Sequence, residues 1–296
     1  DTKLYLNRVN LQFEDITTAA NVAGRPGPWK TGVTMADVNG DGRLDIYVCY
    51  SGKLRGEKRA NQLFINEGLD AGKNPRFTER AAQFGLADSS YSTQAYFFDA
   101  DRDSDLDLLL LNHNPKSLPV LDSASTSEIM KKEDPLNGTK LLLNEGGRFR
   151  DVTVQAGLHS SSLSCGLGAG IADINGDGWP DIYVSNDYAV PDYLYLNNGN
   201  GTFTDVKQKA LAHTSQFSMG NDVSDINNDG LPDIFTLDML PEDNRRQKLL
   251  MAPDNYEKFD LNLRSGFYYQ YMRNMLQVNN GDSTFSEVGQ LAGISN

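Results

Sequence analysis

Asp37-Val-Asn-Gly-Asp-Gly-Arg-Leu-Asp45 is the stretch on which the fold turns. It recurs without gaps as Asp99-Ala-Asp-Arg-Asp-Ser-Asp-Leu-Asp107, Asp173-Ile-Asn-Gly-Asp-Gly-Trp-Pro-Asp181 and Asp225-Ile-Asn-Asn-Asp-Gly-Leu-Pro-Asp233. Positions 1, 5 and 9 are Asp in all four, and position 3 is Asp or Asn. Position 6 is Gly in three and Ser104 in the second. A single copy is an ordinary turn composition; four in register call for a common cause, and calcium supplies one. This hard cation takes about six to eight oxygens in flexible geometry. Side chains at positions 1, 3, 5 and 9, with the backbone carbonyl of position 7, provide such a set, and Gly at 6 permits the sharp turn. The expected ligands are Asp37, Asn39, Asp41 and Asp45 with the carbonyl of Arg43, and Asp99, Asp101, Asp103 and Asp107 with that of Asp105. The third and fourth sets are Asp173, Asn175, Asp177 and Asp181 with Trp179, and Asp225, Asn227, Asp229 and Asp233 with Leu231. Ser104, lacking glycine's freedom, predicts strained backbone at its turn.

The residues after each loop decide the architecture. An EF-hand would place Glu at position 12 and then a helix. Here position 12 is Val48, Leu110, Val184 and Thr236, inside the runs Ile46-Tyr-Val-Cys49, Leu108-Leu-Leu-Leu111, Ile182-Tyr-Val-Ser185 and Ile234-Phe-Thr-Leu237. Such runs are apolar on both faces, as in strands covered on both sides. The loops therefore join strands. A second motif recurs as Leu4-Tyr-Leu-Asn7, Leu63-Phe-Ile-Asn66, Leu141-Leu-Leu-Asn144, Leu194-Tyr-Leu-Asn197 and Leu276-Gln-Val-Asn279. After an Asn- and Gly-rich link, each leads into a strand opening on Phe13, Phe77, Phe149, Phe203 or Phe285, a hairpin signature.

Each unit thus reads strand, acidic loop, strand, connection, strand, hairpin, strand: the four-stranded antiparallel blade of a β-propeller. Full blades are expected at 31–80, 93–154, 167–207 and 219–289, with 1–17 the outer half of another, all in one all-β domain over 1–296. A start at the third strand of a unit predicts a longer native protein. Length varies mostly between the second and third strands, roughly at residues 51–60, 113–139, 187–191 and 239–273. Strand alternation puts these insertions on the end opposite the acidic loops, a rigid scaffold with irregular loops on one face. Residues 123–133 read as a short helix with a capped start.

Composition narrows the function. The chain has 296 residues, a formal charge of −13 and 39% hydrophobic residues, enough to build a core. The charge argues against a nucleic-acid partner, which needs a basic surface. The longest aliphatic run, Leu108–Leu111, is far short of the ~20 residues of a membrane span. Two cysteines make no disulfide scaffold, and Cys49 and Cys165 are expected as buried free thiols. Thirteen carboxylates fall at ligand positions, and four divalent ions would move the formal charge from −13 to −5. The expected role of about four calcium ions is structural: pinning first strand to second in each blade.

The acidic loops, with Gly168-Ala-Gly-Ile-Ala-Asp-Ile174 before the third, resemble FG-GAP/VCBS repeats, the blades of integrin-α-type propellers. The Phe-x-Asp/Glu tails, with Ala156-Gly-Leu158 and Ala292-Gly-Ile294, are similar to the cartilage-acidic-protein and ASPIC/UnbV group. Asp238-Met-Leu-Pro-Glu-Asp-Asn-Arg-Arg246 and Tyr268-Tyr-Gln-Tyr-Met-Arg-Asn274 are similar to large surface lipoproteins of Bacteroidetes. The resemblance covers nearly the whole chain, and Ser104 and the half-blade are its departures. It implies seven blades, calcium, and a location at the cell surface, anchored to an outer membrane through a segment outside this stretch. It also implies outer-membrane uptake components as partners in nutrient capture.

The function expected is a non-catalytic binding or scaffolding module, taking a protein partner or a glycan or peptide ligand on the loop-rich face. The candidate contacts are Arg245, Arg246, Tyr268, Tyr269, Tyr271 and Arg273, since arginine and aromatics are favoured at interface cores. The alternative is a calcium-dependent polysaccharide lyase or glycoside hydrolase, which needs paired carboxylates. Glu133, Asp134, Asp187, Asp192, Glu242 and Asp243 are available, but no spacing singles out a pair. His113, His159 and His213 form no metal or triad pattern.

Overall fold

The structure is a computed structural model, and it describes residues 2–27, 29–116, 122–188, 190–250 and 256–294. Parts of the expected insertions, at 117–121, 189 and 251–255, lie outside the described residues. Strands β1 (Tyr5–Asn7) and β2 (Phe13–Asp15) form a two-stranded sheet, followed by helix α1 (Thr17–Ala20). The first four-stranded sheet comprises β3 (Trp29–Ala36), β4 (Asp45–Ser51), β5 (Gln62–Leu69) and β6 (Pro75–Glu79). Helix α2 (Gly56–Arg59) lies between β4 and β5, and α3 (Ala81–Phe84) follows β6. The second sheet is β7 (Ser92–Phe98), β8 (Asp107–Asn112), β9 (Lys140–Asn144) and β10 (Phe149–Asp151), with α4 (Ser123–Lys131) between β8 and β9. The third is β11 (Gly166–Ala172), β12 (Asp181–Asn186), β13 (Tyr193–Asn197) and β14 (Phe203–Asp205), followed by α5 (Lys207–Ala210) and the short β15 (Thr214–Ser215). The fourth begins with β16 (Gly220–Ser224) and β17 (Asp233–Leu237). After α6 (Asn244–Leu250), α7 (Tyr256–Arg264) and β18 (Gln270–Tyr271), which pairs parallel with β15, it closes with β19 (Met275–Asn279) and β20 (Phe285–Glu287).

Every full sheet is an antiparallel meander with an acidic loop between its first and second strands. The fold is all-β and built from propeller-type blades. Register follows the second motif: Asn7 faces Phe13, Asn66 faces Phe77, Asn144 faces Phe149, Asn197 faces Phe203 and Asn279 faces Phe285. In the four full sheets that Phe is 4–6% exposed; in the two-stranded sheet Phe13 is 59% exposed.

Burial explains the apolar runs. Strands β4, β8 and β12 are buried along their whole length because side chains on both faces meet protein. Contacts group the chain into two compact units. One holds Asp1–Asp99, Asp103–Leu110 and Leu141–Asp151. The other holds Ala100–Arg102, Leu111–Lys140 and Val152–Asn296. In the first, Tyr47, Cys49, Leu63, Leu108, Leu110 and Phe149 form a core between the sheets that start at β3 and β7. In the second, Ile174, Tyr183, Leu194, Ile234 and Phe285 do the same for the sheets that start at β11 and β16. Helix α4 has its capped start: Asp122 Oδ1 accepts the Ser125 N–H at 2.8 Å, leaving one fewer orphan donor. Cys49 and Cys165 are free and buried, and burial pushes the Cys165 thiol up to about 12.

Candidate metal centres and the insertion face

The four acidic loops share one hydrogen-bond plan. The position 1 carboxylate accepts the N–H groups of positions 5 and 6. Asp37 does so from Asp41 at 3.0 Å and Gly42 at 2.7 Å, and Asp173 from Asp177 at 3.0 Å and Gly178 at 2.8 Å. Asp225 accepts from Asp229 at 3.0 Å and Gly230 at 2.9 Å, and Asp99 from Asp103 and Ser104, both at 3.1 Å. The position 5 carboxylate accepts the N–H of position 7, as at Arg43, Asp105, Trp179 and Leu231. Backbone donors thus hold the side-chain oxygens before any cation arrives. In the second loop, oxygens of Asp99, Asp101 and Asp107 lie within 4.8 Å of one another. A hard cation spans that distance with ~2.3–2.6 Å bonds, so the donor set fits calcium.

Two positions in each loop take the left-handed backbone. At position 6, φ is +81° at Gly42, +88° at Gly178, +88° at Gly230 and +79° at Ser104. A side chain there costs about 1–2 kcal/mol. Ser104→Gly is therefore expected to stabilise the protein by roughly 1 kcal/mol, read as a rise in melting temperature at fixed calcium. An unchanged or lower value would show that the Ser104 side chain compensates its strain. Position 4 is also left-handed, at Gly40, Arg102, Gly176 and Asn228, which the sequence reading did not anticipate.

Position 9 does more than face a cation. Asp45, Asp107, Asp181 and Asp233 are at most 1% exposed. Oδ2 of Asp45, Asp181 and Asp233 accepts the N–H of position 2, at Val38, Ile174 and Ile226. Oδ1 of all four accepts the N–H of the third-strand Asn: Asn66, Asn144, Asn197 and Asn279, at 2.8–2.9 Å. That Asn returns its amide to the position 8 carbonyl, at Leu44, Leu106, Pro180 and Pro232. Asn279 Nδ2 also reaches the Ile174 carbonyl at 2.9 Å, tying the fourth sheet to the loop of the third. The recurrent Asp and the recurrent Asn are therefore one staple. Each carboxylate oxygen keeps a further lone pair for a metal. Burial pushes the Asp181 carboxyl up to about 6 against the pull of its N–H donors, and raises Asp45.

At the other end of the sheets lie the insertions. Arg245 and Arg246 are exposed on α6, and Tyr269 and Tyr271 are 46% and 40% exposed. Two other candidate contacts turn inward. Tyr268 donates its hydroxyl to the Leu211 carbonyl at 2.7 Å, and the Arg273 guanidinium lies 3.0 Å from both Glu287 Oε2 and His213 Nε2. These bonds tie the insertion to Leu211, His213 and Glu287.

Three of the carboxylates considered for catalysis, Asp134, Asp192 and Asp243, accept hydrogen bonds from neighbouring groups. Asp134 accepts the Leu136 and Asn137 N–H groups, and Asp243 that of Arg246. Asp192 is fully buried and accepts from Asn186 N–H, Tyr183 Oη–H and Ser218 Oγ–H at 2.7–2.8 Å. Burial nonetheless pushes its carboxyl up to about 7. A carboxyl whose folded pKa exceeds its unfolded value of ~3.9 stabilises while protonated, and that contribution fades as pH rises from about 4 to 7. Wild-type stability is thus expected to fall across this window, by a few kcal/mol, relative to Asp192→Asn. Parallel urea melts at pH 5 and 7.5 check this; identical pH slopes for the two proteins would refute it. His159 Nε2 lies 3.2 Å from Asp205 and its ring stacks on Tyr193.

Comparison with known proteins finds similarity over parts of the chain. The FG-GAP-like repeat family matches residues 1–48 and 173–236. Cartilage acidic protein 1 of Mus musculus is 35% identical over 87 residues, 29% of this chain and 13% of that protein's length. A solved structure of an Agrocybe aegerita lectin, described as specifically recognising non-reducing terminal N-acetylglucosamine, has a TM-score of 0.48 and 18% identity. That likeness covers 96% of this chain and 59% of the lectin chain.

Proposed function

We propose that the FG-GAP-like repeats of this chain form a calcium-stabilised, non-catalytic binding module of an extracellular, cell-surface assembly. One observation carries the reading: four loops repeat the same hydrogen-bond plan around their carboxylates, so that cation binding would fasten first strand to second in each sheet. The residues that would hold the ions are those at positions 1, 3, 5 and 9, with the position 7 carbonyl. What the ion supplies is charge: it replaces repulsion among clustered carboxylates with coordination. Extracellular calcium modules bind at about 10⁻⁴–10⁻³ M, which suits a structural ion outside cells.

The ends of the sheets divide the labour. The acidic loops hold the blades, and the insertions between second and third strands present a variable surface. Arg245, Arg246, Tyr269 and Tyr271 are the exposed contacts on which a partner would bind. We extend the reading to an outer-membrane-anchored protein working beside nutrient-uptake components. No helix among the described residues is long and apolar enough to cross a membrane.

The direct test is metal content. Protein equilibrated with millimolar calcium and passed through a desalting column into calcium-containing buffer should carry about four ions per chain above the buffer level. A stoichiometry of zero would overturn the calcium reading. The binding surface is tested by Arg245→Glu with Arg246→Glu, which should weaken capture of the native partner at least tenfold with the melting temperature unchanged. Undiminished capture would remove α6 from the surface.

A further inference from the structure

Beyond the end of β12 lies a cavity of about 600 Å³, lined by His113, Asn114, Lys116, Ser164, Cys165 and Tyr188 among others. This volume is in the range of small-molecule sites. We propose that the cavity binds a pyranose residue of a glycan, with the Tyr188 ring as its stacking face and the Ser164 hydroxyl as a buried polar contact. The inference rests on the binding-module reading and names a ligand class for it.

Tyr188 is held in an unusual conformation. Its backbone is left-handed, with φ +68°, an outlier for a bulky side chain. The Asp187 carboxylate pins it there by accepting the Tyr188 N–H at 2.8 Å, and the Asp187 N–H is itself donated to the Cys165 carbonyl. The ring gives little back to the fold: it is 58% exposed and meets Phe217 edge-on at 6.2 Å between centroids. A strained position that holds an open aromatic ring at a cavity mouth points to use of the ring. Asn or Gly would sit there with less strain.

Ser164 adds an independent observation. The residue is 2% exposed and lines the cavity, yet its Oγ has no hydrogen-bond partner. A buried hydroxyl left unpaired is costly, and a ligand hydroxyl would recover that cost. Asn114 borders the same space with its amide fixed, donating to the Ser162 carbonyl and accepting the Lys116 N–H. Burial pushes the Cys165 thiol up to about 12, so it stays protonated at neutral pH. An aromatic face beside the polar groups of Ser164, Asn114 and Lys116 matches the two sides of a pyranose: an apolar C–H face and a rim of hydroxyls.

The experiment is saturation-transfer NMR on the calcium-loaded chain. The probes are the methyl glycosides of glucose, galactose, mannose, N-acetylglucosamine and glucuronic acid, and the strongest is titrated by calorimetry. At least one probe should receive saturation. Tyr188→Asn should cut its affinity tenfold or more while the melting temperature stays level or rises. Ser164→Ala should cut affinity several-fold, and Tyr188→Trp should preserve it. No saturation of any probe would overturn the inference, as would affinity unchanged in both Tyr188→Asn and Ser164→Ala. Calcium content measured on the same sample separates the two readings: bound calcium without sugar binding sinks this site and leaves the module standing.

Discussion

Chelation with EGTA is expected to lower the melting temperature of this protein by about 10 °C or more, and added calcium to restore it. The magnitude comes from mass action. A ligand that binds only the folded state stabilises by RT ln(1 + [L]/Kd); at ~2 mM calcium and a Kd of ~10⁻⁴ M each site contributes about 2 kcal/mol. Four independent sites give roughly 7 kcal/mol, and in chains of this size each kcal/mol moves the midpoint by about 2 °C. The geometry supports full use of that energy. Position 1 and position 5 carboxylates are already held by N–H groups of their own loop, so little ordering remains to be done on binding. Scanning fluorimetry in matched calcium and EGTA buffers reads the shift. An unmoved midpoint, with metal removal verified by elemental analysis, would mean that the carboxylates are held by hydrogen bonds alone.

The sequence made the blades legible because their grammar is local. Asp at fixed spacing marks the turn, an apolar run marks the covered second strand, and the Asn-Phe pair frames the hairpin. Each signal lies within about ten residues, and each reappears in the strand register. The insertions were legible for a different reason: the rest of the unit hardly varies, so added length exposes its own position. The staple was hidden. Position 9 Asp and its Asn partner are 21, 37, 16 and 46 residues apart in the four units, so no window contains the pair at a fixed interval. Their joint recurrence in every unit was the available signal. The intramolecular bonds of Tyr268 and Arg273 were not legible, because composition does not show which long-range partner an aromatic or an arginine takes. Only the tertiary structure supplies those partners, the Leu211 carbonyl and the Glu287 carboxylate.

Asp181→Ala is expected to destabilise by about 3–5 kcal/mol even in EGTA, whereas Asp177→Ala loses little beyond the calcium contribution of its own loop. The two residues differ in what they hold. Asp181 is 0% exposed and satisfies two backbone donors, Ile174 N–H at 2.9 Å and Asn197 N–H at 2.8 Å. Removing its carboxylate strands both, at about 1–3 kcal/mol each, and frees the edge where β13 meets the loop. Asp177 is exposed and accepts from the Trp179 N–H and the Asn175 amide, groups that water can reach. Urea melts of both variants, each with and without calcium, separate the roles. Asp181→Ala should shift stability in both conditions, and Asp177→Ala should converge on wild type once calcium is removed. Convergence of Asp181→Ala as well would show that its carboxylate serves only the ion. A large loss for Asp177→Ala in EGTA would show that the loop, and not the buried staple, holds the first strand to the second.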